Sequence, residues 1–213
     1  MDGLFARERA EVAPGAVHVP GWLSLDRQRE LVAACREWGR GPVPYRHTVL
    51  PGGGVMSVQS LCLGRRWVPY RYLDTVGVEL PDWLSALGRA AVSEAYGEDG
   101  GFAPDTALVN FYDAGAGAKM GLHQDKEERS GAPVVSLSLG DRCVFRFGNT
   151  ETRGKPYTDV ELASGDLFVF GGPSRFAYHG VSKVLPGTAD PALGLTGRLN
   201  ITLRETGLRE TRP

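Results

Sequence analysis

The chain has 213 residues, 42% of them hydrophobic, with 24 Lys and Arg against 25 Asp and Glu for a net charge of -1. That supports one sizeable core and excludes a global field drawing the protein to nucleic acid. Cys35, Cys62 and Cys143 are odd in number, widely spaced and without a CxxC, which argues against a disulfide framework or a cysteine zinc site and fits a reducing cytoplasm.

Residues 1–5 run acidic, apolar, then charged, unlike a secretory signal, and no apolar run is long enough to span a bilayer. Residues 1–20 carry little periodicity and are expected to wrap the surface. Leu25, Leu31, Val32, Cys35 and Trp38 have helical spacing, with Ser24 or Asp26 as N-cap and Gly39 as stop. Pro51-Gly52-Gly53-Gly54 reads as a hairpin tip between strands at 45–50 and 55–63. A second helix is predicted from about Asp82, its cap, to Tyr96. Trp83, Leu84, Leu87, Ala91 and Ala95 form its buried face and Gly97 ends it. Between Glu37 and Asp74 the only charges are Arg40, Arg46, Arg65, Arg66 and Arg71, a patch that could meet phosphates or simply be solvated. The stretch from Asp74 to Asp105 is acidic, with only Arg89 opposing it.

After Asp105 the chain reads as β structure broken by Gly, Pro, Asp and Asn. Strands are predicted at 107–112, 120–124, 134–139, 143–147, 158–162, 167–170, 178–184 and 198–204. Eight short strands without a helix suggest a jelly roll, a small barrel of two sheets whose mouth is a natural ligand site. The chain as a whole is mainly β, of α+β class. Residues 1–104 form an N-terminal extension with supporting helices, and residues 105–213 form the jelly-roll core of one integrated domain.

Two histidines and a carboxylate make a candidate metal set. His123 and Asp125 lie two apart in Leu122-His123-Gln124-Asp125-Lys126, and residues i and i+2 of a strand project to one face. His179, in Tyr178-His179-Gly180, can join them from a distant strand. Two imidazoles and one carboxylate on one face of an octahedral ion leave three positions open, the facial triad of non-haem Fe(II) oxygenases. Zn(II) also accepts such donors in some catalytic sites. His18 and His47 lack this context and read as structural.

On the last strand Arg198, Asn200, Thr202 and Arg204 share one face, and Leu199, Ile201 and Leu203 the other. If the leucine face packs on a helix or the outer sheet, both arginines enter the barrel, where an unpartnered guanidinium costs several kcal/mol. A dicarboxylic ligand would supply bidentate partners and would favour iron with an oxo-acid over zinc. The alternative is an amphipathic edge strand with its arginines in solvent. Asn110 and Tyr112 share a face of the first barrel strand and could bond the same ligand, or Tyr112 could be a core ring with its hydroxyl at the rim.

The segments Asn110-Phe111-Tyr112, Leu122-His123-Gln124-Asp125-Lys126, Val135-Ser136-Leu137-Ser138-Leu139-Gly140, Gly171-Gly172-Pro173-Ser174-Arg175, Tyr178-His179-Gly180 and the strand from Arg198 to Arg204 together resemble the AlkB family. These are Fe(II)- and 2-oxoglutarate-dependent dioxygenases that demethylate damaged nucleobases. Pro51-Gly52-Gly53 and Met56-Ser57-Val58 also resemble the family's nucleotide-recognition lid, a β-hairpin. The resemblance implies a double-stranded β-helix (jelly roll) fold and, as cofactors, Fe(II), 2-oxoglutarate and molecular oxygen. It implies oxidative demethylation, a direct-reversal repair, of bases such as 1-methyladenine and 3-methylcytosine in alkylated DNA. RNA, the preferred base and the preferred strandedness stay open. A cytoplasmic monomer that does not engage membranes is the default expectation.

By resemblance, His123, Asp125 and His179 hold Fe(II). Arg198 pairs with the distal carboxylate of 2-oxoglutarate, Arg204 and Asn200 steady its chelating end, and Asn110 and Tyr112 complete the pocket. Trp67 stacks on a flipped base, with Met56 beside it. Tyr72, Lys119, Gln124, Lys126 and Arg153 fall where the family touches phosphates or closes its lid, and Tyr70 competes with Tyr72 for one such role. Glu127 stands where relatives carry Asp against the exocyclic amine of the damaged base. Two other readings use the same residues: a 2-oxoglutarate-dependent hydroxylase of a small molecule or protein, and a non-catalytic jelly-roll binding module.

Overall fold

The computed structural model of the protein describes residues 7–208, so the reading of residues 1–5 as no secretory signal lies outside the described residues. The chain opens with β1 (Ala10–Ala13) and β2 (Ala16–Val19), then α1 (Leu25–Arg40), β3 (Arg46–Val49), β4 (Val55–Val68), β5 (Arg71–Val76) and α2 (Asp82–Tyr96). The rest is β6 (Thr106–Tyr112), β7 (Met120–His123), β8 (Val134–Gly140), β9 (Cys143–Gly148), β10 (Tyr157–Leu162), β11 (Leu167–Phe170), β12 (His179–Val184) and β13 (Arg198–Arg204). All eight strands expected after Asp105 form, each within a residue of its expected bounds. No described helix is long and apolar enough to cross a membrane.

A nine-stranded sheet runs β1-β2-β11-β8-β13-β6-β4-β3, with β5 on β4, and faces a four-stranded sheet β10-β9-β12-β7. Burial divides on the two faces of the large sheet. Leu199, Ile201 and Leu203 of β13 pack with Leu31, Cys35, Leu84 and Ala91 of the two helices. On the other face, Tyr112, Phe145, Phe147, Phe168, Phe170 and Val181 fill the barrel between the sheets. The leucine face of β13 is therefore turned to the helices, and its polar face must look into the barrel.

Several expectations change. Residues 10–13 and 16–19 do not wrap the surface: they form a hairpin, and β2 is buried throughout as the antiparallel neighbour of β11. A strand buried on both faces loses the polar alternation that would have marked it. Helix α1 runs through Gly39 to a cap at Gly41, with Ser24 as its N-cap. Gly39 is there for space, because a Cβ would lie 2.6 Å from the Tyr45 ring. Trp83 is 40% exposed rather than on the buried face of α2, stacked on Trp38 at 6.0 Å between ring centroids. Pro81, not Asp82, is the N-cap of α2. Strand β4 continues to Val68 and turns back as β5, a strand the sequence reading lacks. Arg65 leaves the basic patch, being buried with its Nη1 donating to the Asp74 carbonyl at 2.6 Å.

One buried carboxylate ties the N-terminal hairpin to the barrel. Asp166 accepts from the backbone of Gly21 and Ala163 (both 2.9 Å), lies 2.9 Å from His18 Nε2 and pairs with Arg7. Burial by itself raises its pKa, but the bonds from His18, Arg7 and the two amides outweigh that and hold it below the usual carboxylate range. Asp166→Asn should therefore lower the unfolding free energy by about 3 kcal/mol at neutral pH, read by urea denaturation. A group with a depressed folded pKa contributes fully above its unfolded value, so the deficit should shrink as pH falls below about 4.

Candidate active site

Three elements converge at the barrel mouth. His123 ends β7 and His179 begins β12, and the two are direct partners across that antiparallel pair. Their rings lie 4.5 Å apart between centroids. Asp125 does not share the strand with His123, as the spacing suggests; it lies two residues beyond the end of β7 and reaches the same point from the loop. One oxygen of Asp125 is 3.6 Å from His123 Nε2 and the other 3.5 Å from His179 Nε2, and the three donor atoms lie within 4.8 Å of one another. Ligands on adjacent positions of one ion at roughly 2.1 Å lie about 3 Å apart, so little adjustment closes this set on a metal.

The donor atoms are prepared for that role. His123 Nδ1 donates to the Gly121 carbonyl and His179 Nδ1 to the Ala177 carbonyl, both at 3.0 Å, which turns each Nε2 lone pair to the common point. Burial first, then the neighbouring His123, lowers the His179 pKa to about 4, so the ring is neutral at physiological pH. Burial alone would raise Asp125, but the Arg204 guanidinium and the two imidazoles hold it at about 2. Arg204 Nη2 is 2.8 Å from Asp125 Oδ2 without an aligned N–H, so this buried oxygen accepts no hydrogen bond. An anionic, unbonded oxygen beside two imidazole Nε2 atoms fits a divalent cation.

Behind this cluster lies a pocket lined by Asn110, Tyr112, Asn200, Arg198 and Arg204 among others. Arg198 is 1% exposed; its Nη2 donates to Ser138 Oγ at 3.0 Å, but Nε and Nη1 have no partner. Two unpartnered N–H-bearing nitrogens on a buried guanidinium leave a positive charge and donors for an anion such as a carboxylate to meet. Arg204 is differently placed, with Nη1 donating to Tyr72 Oη at 3.1 Å and Nη2 on Asp125, leaving Nε unpartnered. Asn200 donates to Ser136 Oγ at 2.8 Å and to the Leu137 carbonyl at 3.0 Å. Asn110 Oδ1 accepts from Ser60 Oγ at 2.7 Å. Tyr112 is a buried ring whose hydroxyl meets Met120 Sδ at 4.0 Å.

The outer residues separate into two groups. Trp67 pairs directly with Tyr72 across β4 and β5, so their side chains share a face. Tyr72 is buried on Arg204, whereas Tyr70 is 65% exposed at the turn, so Tyr72 belongs to the inner network. Met56 is half-buried on β4, and neighbouring Ser57 Oγ donates to the Lys119 carbonyl at 2.9 Å, joining the β3–β4 hairpin to the loop before β7. Gln124 Nε2 donates to the Thr150 carbonyl at 3.0 Å and to the Phe176 carbonyl, pinning two loops to the metal strand. Lys119, Lys126 and Arg153 are exposed. Glu127 is half-buried, and burial, then Asp125, raises its pKa. Sequence reasoning missed Glu128 and gave Arg175 no role. Both are buried at the site, and only the Glu127-Glu128 doublet and the Gly-Gly-Pro-Ser-Arg turn hinted at them.

Comparison with known proteins agrees with this geometry. Residues 15–204 match the 2OG-Fe(II) oxygenase superfamily. The chain is 40% identical to the alpha-ketoglutarate-dependent dioxygenase AlkB homolog of Caulobacter vibrioides over 91% of its own length and 88% of that protein. It is 37% identical to AlkB of Escherichia coli over 78% of this chain and 80% of that one. It is also 34% identical to the DNA N(6)-methyladenine demethylase ALKBH1D of Arabidopsis thaliana, of which it spans 50%. The solved structure of OsALKBH1 superposes with a TM-score of 0.82 at 34% identity, covering 92% of this chain and all of that one. The fold and the donor set thus define a jelly-roll dioxygenase that uses Fe(II), 2-oxoglutarate and molecular oxygen. Within that superfamily the chain belongs to the AlkB family.

Divalent metal should stabilise the fold through the His-Asp-His cluster. Co(II) at 100 times its Kd should add about 2.7 kcal/mol to the unfolding free energy, and the increment should vanish in His179→Ala, as read by thermal melts with and without chelator.

Proposed function

We propose that this protein reverses N-alkylation of nucleobases such as 1-methyladenine and 3-methylcytosine in DNA, with RNA as a second possible polymer, while converting 2-oxoglutarate to succinate. The observation that carries this reading is the buried, partly unpartnered guanidinium of Arg198 in a pocket that His123 and His179 of the His-Asp-His cluster also line. A molecule with a carboxylate at one end and metal-chelating oxygens at the other would satisfy both. The names of the relatives, AlkB and DNA N(6)-methyladenine demethylase, direct the choice of substrate to alkylated bases in nucleic acid.

In this reading His123, Asp125 and His179 hold Fe(II). The metal with 2-oxoglutarate and dioxygen supplies oxidation of the N-methyl carbon, which leaves as formaldehyde while the cosubstrate leaves as succinate and carbon dioxide. Arg198 binds the distal carboxylate, Asn200 and Arg204 orient the chelating end, and Asn110 and Tyr112 close the pocket. The aromatic lining from Phe145 and Phe170 keeps water from the reacting face. Outside, Trp67 and Met56 form the platform for an extruded base, as an alkylated Watson–Crick edge is out of reach inside a duplex. Glu127 faces its exocyclic amine. Lys119, Lys126 and Arg153 meet phosphates, and Gln124 and Tyr72 hold the surrounding loops and lid. Residues 1–104 supply support and lid, residues 105–213 the catalytic core, in one integrated domain. The protein acts as a monomer in the cytoplasm, where its three free cysteines stay reduced.

Incubation with a 3-methylcytosine or 1-methyladenine oligonucleotide, Fe(II), ascorbate and 2-oxoglutarate should release succinate and formaldehyde in equal amounts, and His179→Ala should release neither. Succinate without formaldehyde from any alkylated oligonucleotide would point to a 2-oxoglutarate hydroxylase of another substrate. Trp67→Ala should raise KM for the oligonucleotide roughly 5- to 150-fold, the loss of one base stack, and leave the 2-oxoglutarate affinity unchanged. Equal oligonucleotide KM in the variant would remove Trp67 from the base platform.

A further inference from the structure

Four charged side chains form a closed, buried ring whose two ends meet on one residue. Arg175 Nη1 donates to the backbone carbonyl of Asp125 at 3.0 Å, and its Nη2 to Glu128 Oε2 at 3.0 Å. Glu128 Oε1 is 3.3 Å from Arg204 Nη1, and Arg204 Nη2 is 2.8 Å from the Asp125 carboxylate. The side chains of Glu128 and Arg175 are 0% and 2% exposed. Arg175 Nε also donates to the Ala132 carbonyl at 2.6 Å, so its guanidinium is fully engaged.

Removing four charges from water is costly, and a link that only joined two loops could be apolar at lower cost. What an apolar link cannot do is fix a carboxylate in orientation. Asp125 is not on a strand, so no sheet ladder sets its position. The ring grips it twice, by the backbone through Arg175 and by the side chain through Arg204, with Glu128 bracing one guanidinium against the other. Arg175 also leads into the segment carrying His179, because Ser174 accepts from Ala177 N and Ala177 accepts from His179.

We propose that Glu128 and Arg175 are positioning residues for the metal centre, holding the Asp125 carboxylate in the orientation that closes the triad. This rests on the reading of His123, Asp125 and His179 as the metal ligands. Partners of ligating carboxylates typically change metal affinity 10- to 100-fold when replaced.

Arg175→Met with Glu128→Met removes one charge of each sign and leaves Asp125 paired with Arg204, so the fold has no stranded charge. Arg175→Lys keeps the charge but cannot span three acceptors. Chelator-treated protein is titrated with Co(II) by calorimetry and by its visible absorption, beside urea unfolding of each variant. The double variant is expected to unfold cooperatively, to bind Co(II) 10- to 100-fold more weakly and to change the Co(II) spectrum; Arg175→Lys should show a smaller loss. A folded double variant that binds within twofold of the parent, with the parent's spectrum, overturns the proposal. If the double variant does not fold, Arg175→Lys decides by the same criterion. Parent protein that binds no Co(II) would overturn the metal centre and the ring together. Binding lost in His179→Ala yet unchanged in the ring variants would overturn the ring alone.

Discussion

A guanidinium shut inside a barrel with two of its nitrogens unpartnered is the constraint on which the rest of this structure depends. Arg198 sits on β13, whose other face carries Leu199, Ile201 and Leu203. The apolar face is worth several kcal/mol against the helices, about 1.5–3 per fully buried side chain. That drives the strand into the centre of the sheet and carries Arg198, Asn200 and Arg204 into the barrel with it. Helix packing on one side thus supplies the free energy that keeps an anion site open on the other.

The two arginines of β13 have the same spacing relation to the core but different electrostatic roles. Arg204 is matched to internal partners: Asp125, Glu128 and Tyr72 surround it, and two negative charges lie within a few ångströms. Arg198 has a hydroxyl for a neighbour and, among the described residues, no carboxylate. On the proposed reading, one guanidinium is part of the metal-site frame and the other is left for a ligand. The same frame reaches the β4–β5 ribbon, because Tyr72, which accepts from Arg204, stands opposite Trp67 there. The proposed base platform, the proposed carboxylate ligand and the pocket of Arg198 are therefore joined through a few buried polar contacts.

Legibility in the sequence followed the local pattern. Strands β6 to β13 alternate or are bounded by Gly and Pro, and all were readable. Strand β2, Ala16-Val17-His18-Val19, was not, because burial on both faces removes the alternation and its one polar residue is spent on Asp166. Gly39 mimics a helix stop, although it is there to admit the Tyr45 ring. Asp125 does lie with His123 and His179, but not through strand alternation, since the strand ends at His123 and loop geometry completes the convergence. Tyr70 and Tyr72 could not be separated by sequence; the left-handed turn at Tyr70, with φ of 67°, puts it outside and Tyr72 inside.

The sequence by itself determined the period-2 strands, the hairpin tip at Pro51-Gly52-Gly53-Gly54, the two-faced character of β13 and the donor types offered to a metal. These depend on residue identity within a few positions, where backbone sterics and side-chain alternation act. Only the tertiary structure decided that β2 lies inside the large sheet, that Glu128 and Arg175 close a ring on Asp125, and that Arg204 rather than Arg198 meets carboxylates among the described residues. Each of those depends on charges and hydrogen-bond donors meeting across long stretches of chain, where burial removes the water that would otherwise satisfy them. Spacing along a sequence carries no record of which groups will be brought together when that water is gone.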